Sequence, residues 1–204
     1  MSVRLRQGRR TQDGVALIVV LLMLIVILQL ASAAAQIALQ GEKMSRNDRD
    51  RRIAFEAAEA ALMDAETDIE SAPDAATSRS DMFSRYSALG FPTLPGTCAD
   101  GADKRFLGLC RPSAANDPAV WETRNFSGAA DDATVAYGQF TGRQFPNGGA
   151  LPARPPRYLI ELLPDKRIGE SAERDAYLYR ITAVGFGANE DTQVALQAIY
   201  RKTR

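Results

Sequence analysis

The chain has 204 residues, 25 basic against 25 acidic side chains, two cysteines and no histidine. A zero net charge with no concentrated cationic footprint argues against nucleic acid as a partner. Without histidine, a G-x-S-x-G elbow or a G-x-x-x-x-G-K-[ST] loop, the sequence reads as that of a non-enzyme, with no cofactor and no metal site implied.

Residues 1–14 form a basic stub: Arg4, Arg6, Arg9 and Arg10 against Asp13, ending at Gly14. Residues 15–28, VALIVVLLMLIVIL, are wholly apolar, and no charge appears before Glu42. As a helix the charge-free run 15–41 measures about 40 Å, more than the ~30 Å hydrocarbon core of a bilayer. Positive flanks are held on the cytoplasmic side, so this pattern predicts a single-pass anchor with a cytoplasmic N-terminus and everything after Gly41 exported.

Residues 42–71 continue the helix. The segment is rich in Ala, Glu, Leu and Arg, lacks glycine and proline, and stops before Pro73. Phe55, Leu62 and Ile69 recur every seven residues with Ala58 and Ala65 between them, predicting an apolar packing face. The acidic side chains Glu56, Glu59, Asp64, Glu66, Asp68 and Glu70 read as a solvated face; a di-iron cage needs Glu-x-x-His motifs, and there is no histidine. The cluster Arg46, Arg49, Arg51 and Arg52 reads as a solvated face or as partners for acidic groups on a neighbouring helix.

The exported domain spans residues 72–204. Its first part, 72–156, is proline- and glycine-rich and predicts loops, with a short helix over 81–89 and a strand over 134–141. Cys98 and Cys110 form an even pair, which in an exported chain reads as one disulfide; two buried free thiols are the alternative. Asp100, Asp103, Asp131 and Asp132 lack the spacing of a calcium loop and read as solvated. Asn125-Phe126-Ser127 reads as surface loop, Gly185-Phe186-Gly187 as a turn, and Trp121 as packing. In 157–204 the segments 158–163, 176–186 and 193–200 are rich in Tyr, Ile, Val, Leu and Thr, and the last two flank the turn-prone residues 187–191. An antiparallel sheet follows, with Val194, Leu196, Ala198 and Tyr200 alternating so that one face packs on the long helix. The fold class is α+β.

The basic leader ending at Gly14, the span GVALIVVLLMLIVIL, then EKM, NDRDRRIAFEAAEAAL and the terminal YRITAVGFGANEDTQVALQAIY together resemble type IV pilins, and more narrowly the PilX-type minor pilins or pilus assembly proteins. The resemblance covers roughly residues 7–70 and 177–200. It implies cleavage by a prepilin peptidase after Gly14, N-methylation of Val15, and residence in the bacterial inner membrane before assembly and at the pilus surface after it. The implied function is to prime assembly in a tip complex. Implied partners are other minor pilins, the major pilin, inner-membrane lipid and a tip adhesin, with cell adhesion and twitching motility downstream. Two positions depart from the family pattern: the first mature residue, commonly phenylalanine, is Val15, a small change, and the fifth, commonly glutamate, is Val19, which leaves the anchor comfortable in lipid and removes a docking charge.

Three other readings fit parts of the sequence. An ordinary signal peptide cut near Ala34 or Gln36 would release a soluble exported binding protein. A type II secretion pseudopilin would share the anchor, and a bitopic domain of other binding function would keep it uncut.

Overall fold

The computed structural model describes residues 15–99, 103–128, 133–146, 151–165 and 176–202. Gly14 and the rest of the leader, together with Asp100, Asp131 and Asp132, lie outside them. The chain divides into a first unit ending at Asn47 and a second from Asp48 onward.

Helix α1, Val15–Glu70, belongs to both units. In the first unit every described residue is exposed, and a side-chain ion pair joins Arg46 to Glu42 one turn away. In the second unit the helix buries Ala54, Ala57, Ala58, Ala61, Ala65 and Ile69 against a sheet. Small side chains dominate because the sheet comes very close, so larger ones find no room.

That closeness corrects the expected packing face. Ala58, Ala65 and Ile69 are fully buried, Leu62 is half-buried, and Phe55 is 43% exposed. An α-helix falls about 20° short per seven residues, so a strict seven-residue row drifts around the cylinder. Phe55 starts the row on the outer surface and Ile69 ends it in the core.

Among the described residues five strands make the sheet: β1 (Leu109–Cys110), β2 (Val135–Ala136), β3 (Arg157–Pro164), β4 (Tyr177–Phe186) and β5 (Gln193–Tyr200). The order is β1-β3-β4-β5, with β2 also paired to β3. The pairs β3–β4, β4–β5 and β2–β3 are antiparallel, and β1 runs parallel to β3. Helix and mostly antiparallel sheet give the α+β fold class that the sequence predicts.

One sheet face carries Tyr158, Ile160, Leu162, Tyr179, Ile181 and Ala183, which cluster with the alanines of α1. Through the β4–β5 register, Val194, Leu196, Ala198 and Tyr200 stand on this same face. The opposite face carries Leu159, Val184 and Phe186, covered by Cys110, Val120 and Phe126 with Cys98 and Trp121 at the margin. The proline-rich segment thus builds a second cover over β3 and β4, while Ile199 on β5 stays 58% exposed.

Two short elements differ from expectation. Over 81–89 only a 3-10 turn, Ser80–Met82, forms. Beyond it the Tyr179 hydroxyl accepts from Ser84 N–H (3.0 Å) and donates to Ser84 O (2.8 Å), tying up groups that a helix needs. Over 134–141 the strand stops at Ala136, because Gly138 N–H and the Thr141 hydroxyl turn inward to Asp64.

Candidate assembly surface

From Val15 onward the residues of the apolar run are exposed. Val15 is 65% exposed, Val19 47% and Leu28 71%, and this part of α1 is long and apolar enough to cross a membrane. In water a stripe of this size is an interaction surface or an aggregation hazard. Its length and composition suit a membrane span, and lipid or other helices are what can cover it on all sides.

The second unit holds its part of α1 by polar contacts as well as by packing. Asp50 accepts backbone N–H groups from Ala188 (2.6 Å) and Asn189 (3.1 Å) in the β4–β5 turn. A side-chain bond from Thr192, aided by those two backbone donors, holds the Asp50 carboxyl below its ordinary value. Gly187 makes the approach feasible, since a β-carbon there would meet the Asp50 carboxylate at 2.7 Å.

Asp64 and Asp68 depart from the solvated face expected of them, because both are fully buried. Asp68 faces Arg79, also fully buried, at 2.7 Å, and accepts the Tyr158 hydroxyl at 2.9 Å. The Arg79 guanidinium also donates to the carbonyls of Arg105 (2.9 Å) and Leu107 (2.6 Å) and lies 3.7 Å over the Phe140 ring. This arginine ties two separate loop segments, one at Arg105 and Leu107 and one at Phe140, to the helix. Burial and the nearby Asp68 charge push the Tyr158 hydroxyl well above its usual value. Burial also raises Asp64, against the lowering effect of its bonds to Thr141 and Gly138.

Lys202 closes the end of α1. Its ammonium donates to Ile69 O (2.8 Å) and Ser80 O (2.6 Å), satisfying a carbonyl in the helix's last turn where the dipole favours a cation. The Tyr200 hydroxyl donates to Glu70 at 2.9 Å, and burial first and that bond second raise it to about 12.

Cys98 and Cys110 are joined by a disulfide. Asp103 accepts Arg105 N–H at the start of a short 3-10 turn, and Asn125 accepts Ser127 N–H. Among the described residues no three acidic or cysteine side chains lie close enough together to hold a metal ion. The row of alanines in α1 was the available sequence signal for the buried acids: Ala57 and Ala61 continue through Asp64 and Asp68 at helical spacing on one face.

What the arrangement provides is mechanical. A head domain is clamped to the second part of a helix whose first part is left bare for another environment. A family model described as type IV pilus assembly protein PilX C-term matches residues 106–202, and a model described as PilX N-terminal matches residues 13–62. Comparison with curated proteins and with solved structures found no match.

Proposed function

We propose that this chain, which belongs to the PilX family of type IV pilus assembly proteins, performs the minor-pilin role of that family by priming fibre assembly from the inner membrane in a tip complex with other minor pilins. The observation that carries the reading is the uncovered apolar start of α1 ahead of a well-packed head. A helix apolar all round is soluble in lipid before assembly, and packs in a helix bundle afterwards without exposing new apolar surface.

On this reading a prepilin peptidase cuts after Gly14, Val15 is the N-methylated first residue, and the head faces outward. Val19 supplies no carboxylate to pair with a neighbour's amino terminus, which suits a position with one neighbour missing. That the N-terminal family model runs continuously from residue 13 to 62, across the alternative cut near Ala34 or Gln36, supports retention of the helix. The major pilin and a tip adhesin then follow as assembly partners, with adhesion and twitching motility as consequences.

The deciding experiment is deletion of the gene followed by a count of surface fibres and a secretion assay. Loss of fibres with normal exoprotein release supports the proposal. Normal fibres with failed release would make the protein a secretion pseudopilin instead.

A further inference from the structure

β5 is an edge strand. It pairs with β4 along one side, one to one from Gln193 opposite Phe186 to Tyr200 opposite Tyr179, and no backbone hydrogen bond reaches its other side among the described residues. Alternate N–H and C=O groups along Gln193–Tyr200 therefore face outward without a backbone partner. Proteins usually blunt such an edge with lysine, proline or a bulge. The strand QVALQAIY has no charge and no proline, and its unbroken register leaves no bulge. The other margin of the sheet is closed by the chain itself: β1 has two residues, and beside it Ala99 N–H donates to Leu109 O (2.9 Å) and Arg111 N–H to Thr97 O (2.8 Å).

Side chains around the edge define what fits it. Val194, Leu196, Ala198 and Tyr200, on the helix side, are only half-buried, and Gln193, Ala195, Gln197 and Ile199 on the other face are exposed. A strand added here meets apolar neighbours on the first face and mostly polar ones on the second. The flank of α1 beside β5 is acidic. Helix and strand run the same way, from Asp50 at the β4–β5 turn to Glu70 at Tyr200, and residues 53–70 contain no lysine or arginine. Asp64 and Asp68 are buried with partners, whereas Glu59 and Glu66 form no ion pair among the described residues. These two lie within about 20° of each other around the helix. The Tyr200 hydroxyl, raised first by burial and then by Glu70, also feels the Glu66 charge.

A second copy fits this edge badly. A symmetric pair of β5 edges is antiparallel. Because each α1 runs with its own β5, such a pair would set the two helices in opposite directions, which chains anchored alike in one membrane cannot adopt. It would also bring two acidic flanks together. An extended segment of another protein meets neither obstacle, and a basic one gains from the carboxylates.

We infer that the open edge of β5 accepts an extended segment of a different exported protein, apolar at alternate residues and carrying lysine or arginine, which joins the sheet as a further strand beside Glu59 and Glu66. The exclusion of a second copy rests on the anchored helix of the proposed function; the edge and its acidic flank belong to the head alone.

The test uses the full chain in non-ionic detergent micelles and a synthetic peptide that alternates valine with lysine. The peptide should bind, and hydrogen exchange should slow at the outward amides of β5 while Leu159 and Ile160 on β3 stay unchanged. The same peptide N-methylated along one edge, which removes the donors a ladder needs, should lose most of that binding, and a valine–glutamate peptide should bind far more weakly. Glu59→Lys combined with Glu66→Lys should reverse the preference between the two charged peptides, with an unchanged unfolding midpoint showing that the head is folded. Slow exchange at every β5 amide of the free chain overturns the inference: if dilution restores fast exchange the edge holds a second copy, and if it does not the chain covers its own edge. No binding, protection confined to sites other than β5, equal binding of the N-methylated peptide, or equal binding of the two charged peptides also overturns it. None of these outcomes touches the fibre count, so the pilus role and the open edge can fail separately.

Discussion

Gly185 and Ala54 stand so close that a β-carbon on the glycine would lie 2.1 Å from the Ala54 carbonyl oxygen and 2.4 Å from Ala58 N. Both obstructing atoms are helix backbone, which cannot rotate aside as a side chain can. The alanine row of α1 and the missing side chain of Gly185 are two halves of one contact, and the close approach of helix to β4 depends on both. Replacing Gly185 by Ala should therefore destabilise the head by about 2–3 kcal/mol, the cost of overpacking a filled core. Thermal unfolding of the full chain in detergent would show a midpoint lowered by several degrees; an unchanged midpoint would count against the contact.

Asp68 and Arg79 predict a larger effect. Each is fully buried and each is the other's counter-charge, so Asp68→Ala strands a guanidinium in the core and frees the Tyr158 hydroxyl. The expected loss is about 3–5 kcal/mol. Adding Arg79→Met to that variant should recover part of the loss, because the stranded charge goes with it. Urea titration of the single and double variants measures this, and a double variant weaker by the sum of the two singles would show that the pair is uncoupled.

Asp64 should leave a signature in the pH dependence of stability. Its carboxyl titrates above the ordinary value of 3.8, chiefly through burial. The folded state therefore holds the proton more tightly than the unfolded chain does. The contribution from that proton is fully present below the unfolded value and is lost as pH rises through the folded value. Subtracting the profile of an Asp64→Asn variant from that of the parent should isolate a fall with rising pH in this acidic window. A flat difference curve would show Asp64 to be unperturbed.

The disulfide between Cys98 and Cys110 closes a short loop, and the chain-entropy model assigns it about 3 kcal/mol. Cys110 packs with Val120, Phe126, Leu159 and Phe186, so its loss should loosen the cover over the outer face of β3 and β4. Hydrogen exchange on the Cys98→Ser, Cys110→Ser variant should quicken at Leu159 and Val184 before it does at Ile181, on the helix side. Uniform quickening across both faces would contradict this two-cover description.

Gly14→Val should block removal of the leader, since a peptidase that cuts after a glycine has little room for a branched side chain. N-terminal sequencing of the native product should read from Val15 in the parent and from Met1 in the variant. Normal processing of the variant, or a parent beginning near Ala34 or Gln36, would weigh against the pilin maturation route.

Much of the architecture was readable as one-dimensional pattern. Residues 15–28 carry no polar atom beyond the backbone, and a helix is how such a run satisfies that backbone in lipid. Alternation along β5 places Val194, Leu196, Ala198 and Tyr200 on one face because strand geometry repeats every two residues. The two cysteines, an even pair, gave the pairing that the structure has. The burial of Asp64 and Asp68 had only the alanine row at helical spacing behind it, and that of Arg79 had no such pattern. A carboxylate on a helix reads as solvated unless its partner is known, and the partners here are distant in sequence: Arg79 lies beyond the helix, Thr141 in a loop, Tyr158 on β3.

The sequence alone determined the order of parts: a charged stub, a run that water rejects, an amphipathic helix and a sheet, each fixed by local periodicity and by solvation of the residues themselves. Tertiary structure decided which helix face is inside, because the answer depends on how close a second element can come. Gly185 lets β4 approach so far that alanines line the contact and Phe55 is left outside. Burial at such a contact then selects which charges must be paired, and no residue's own chemistry carries that information before its neighbours are in place.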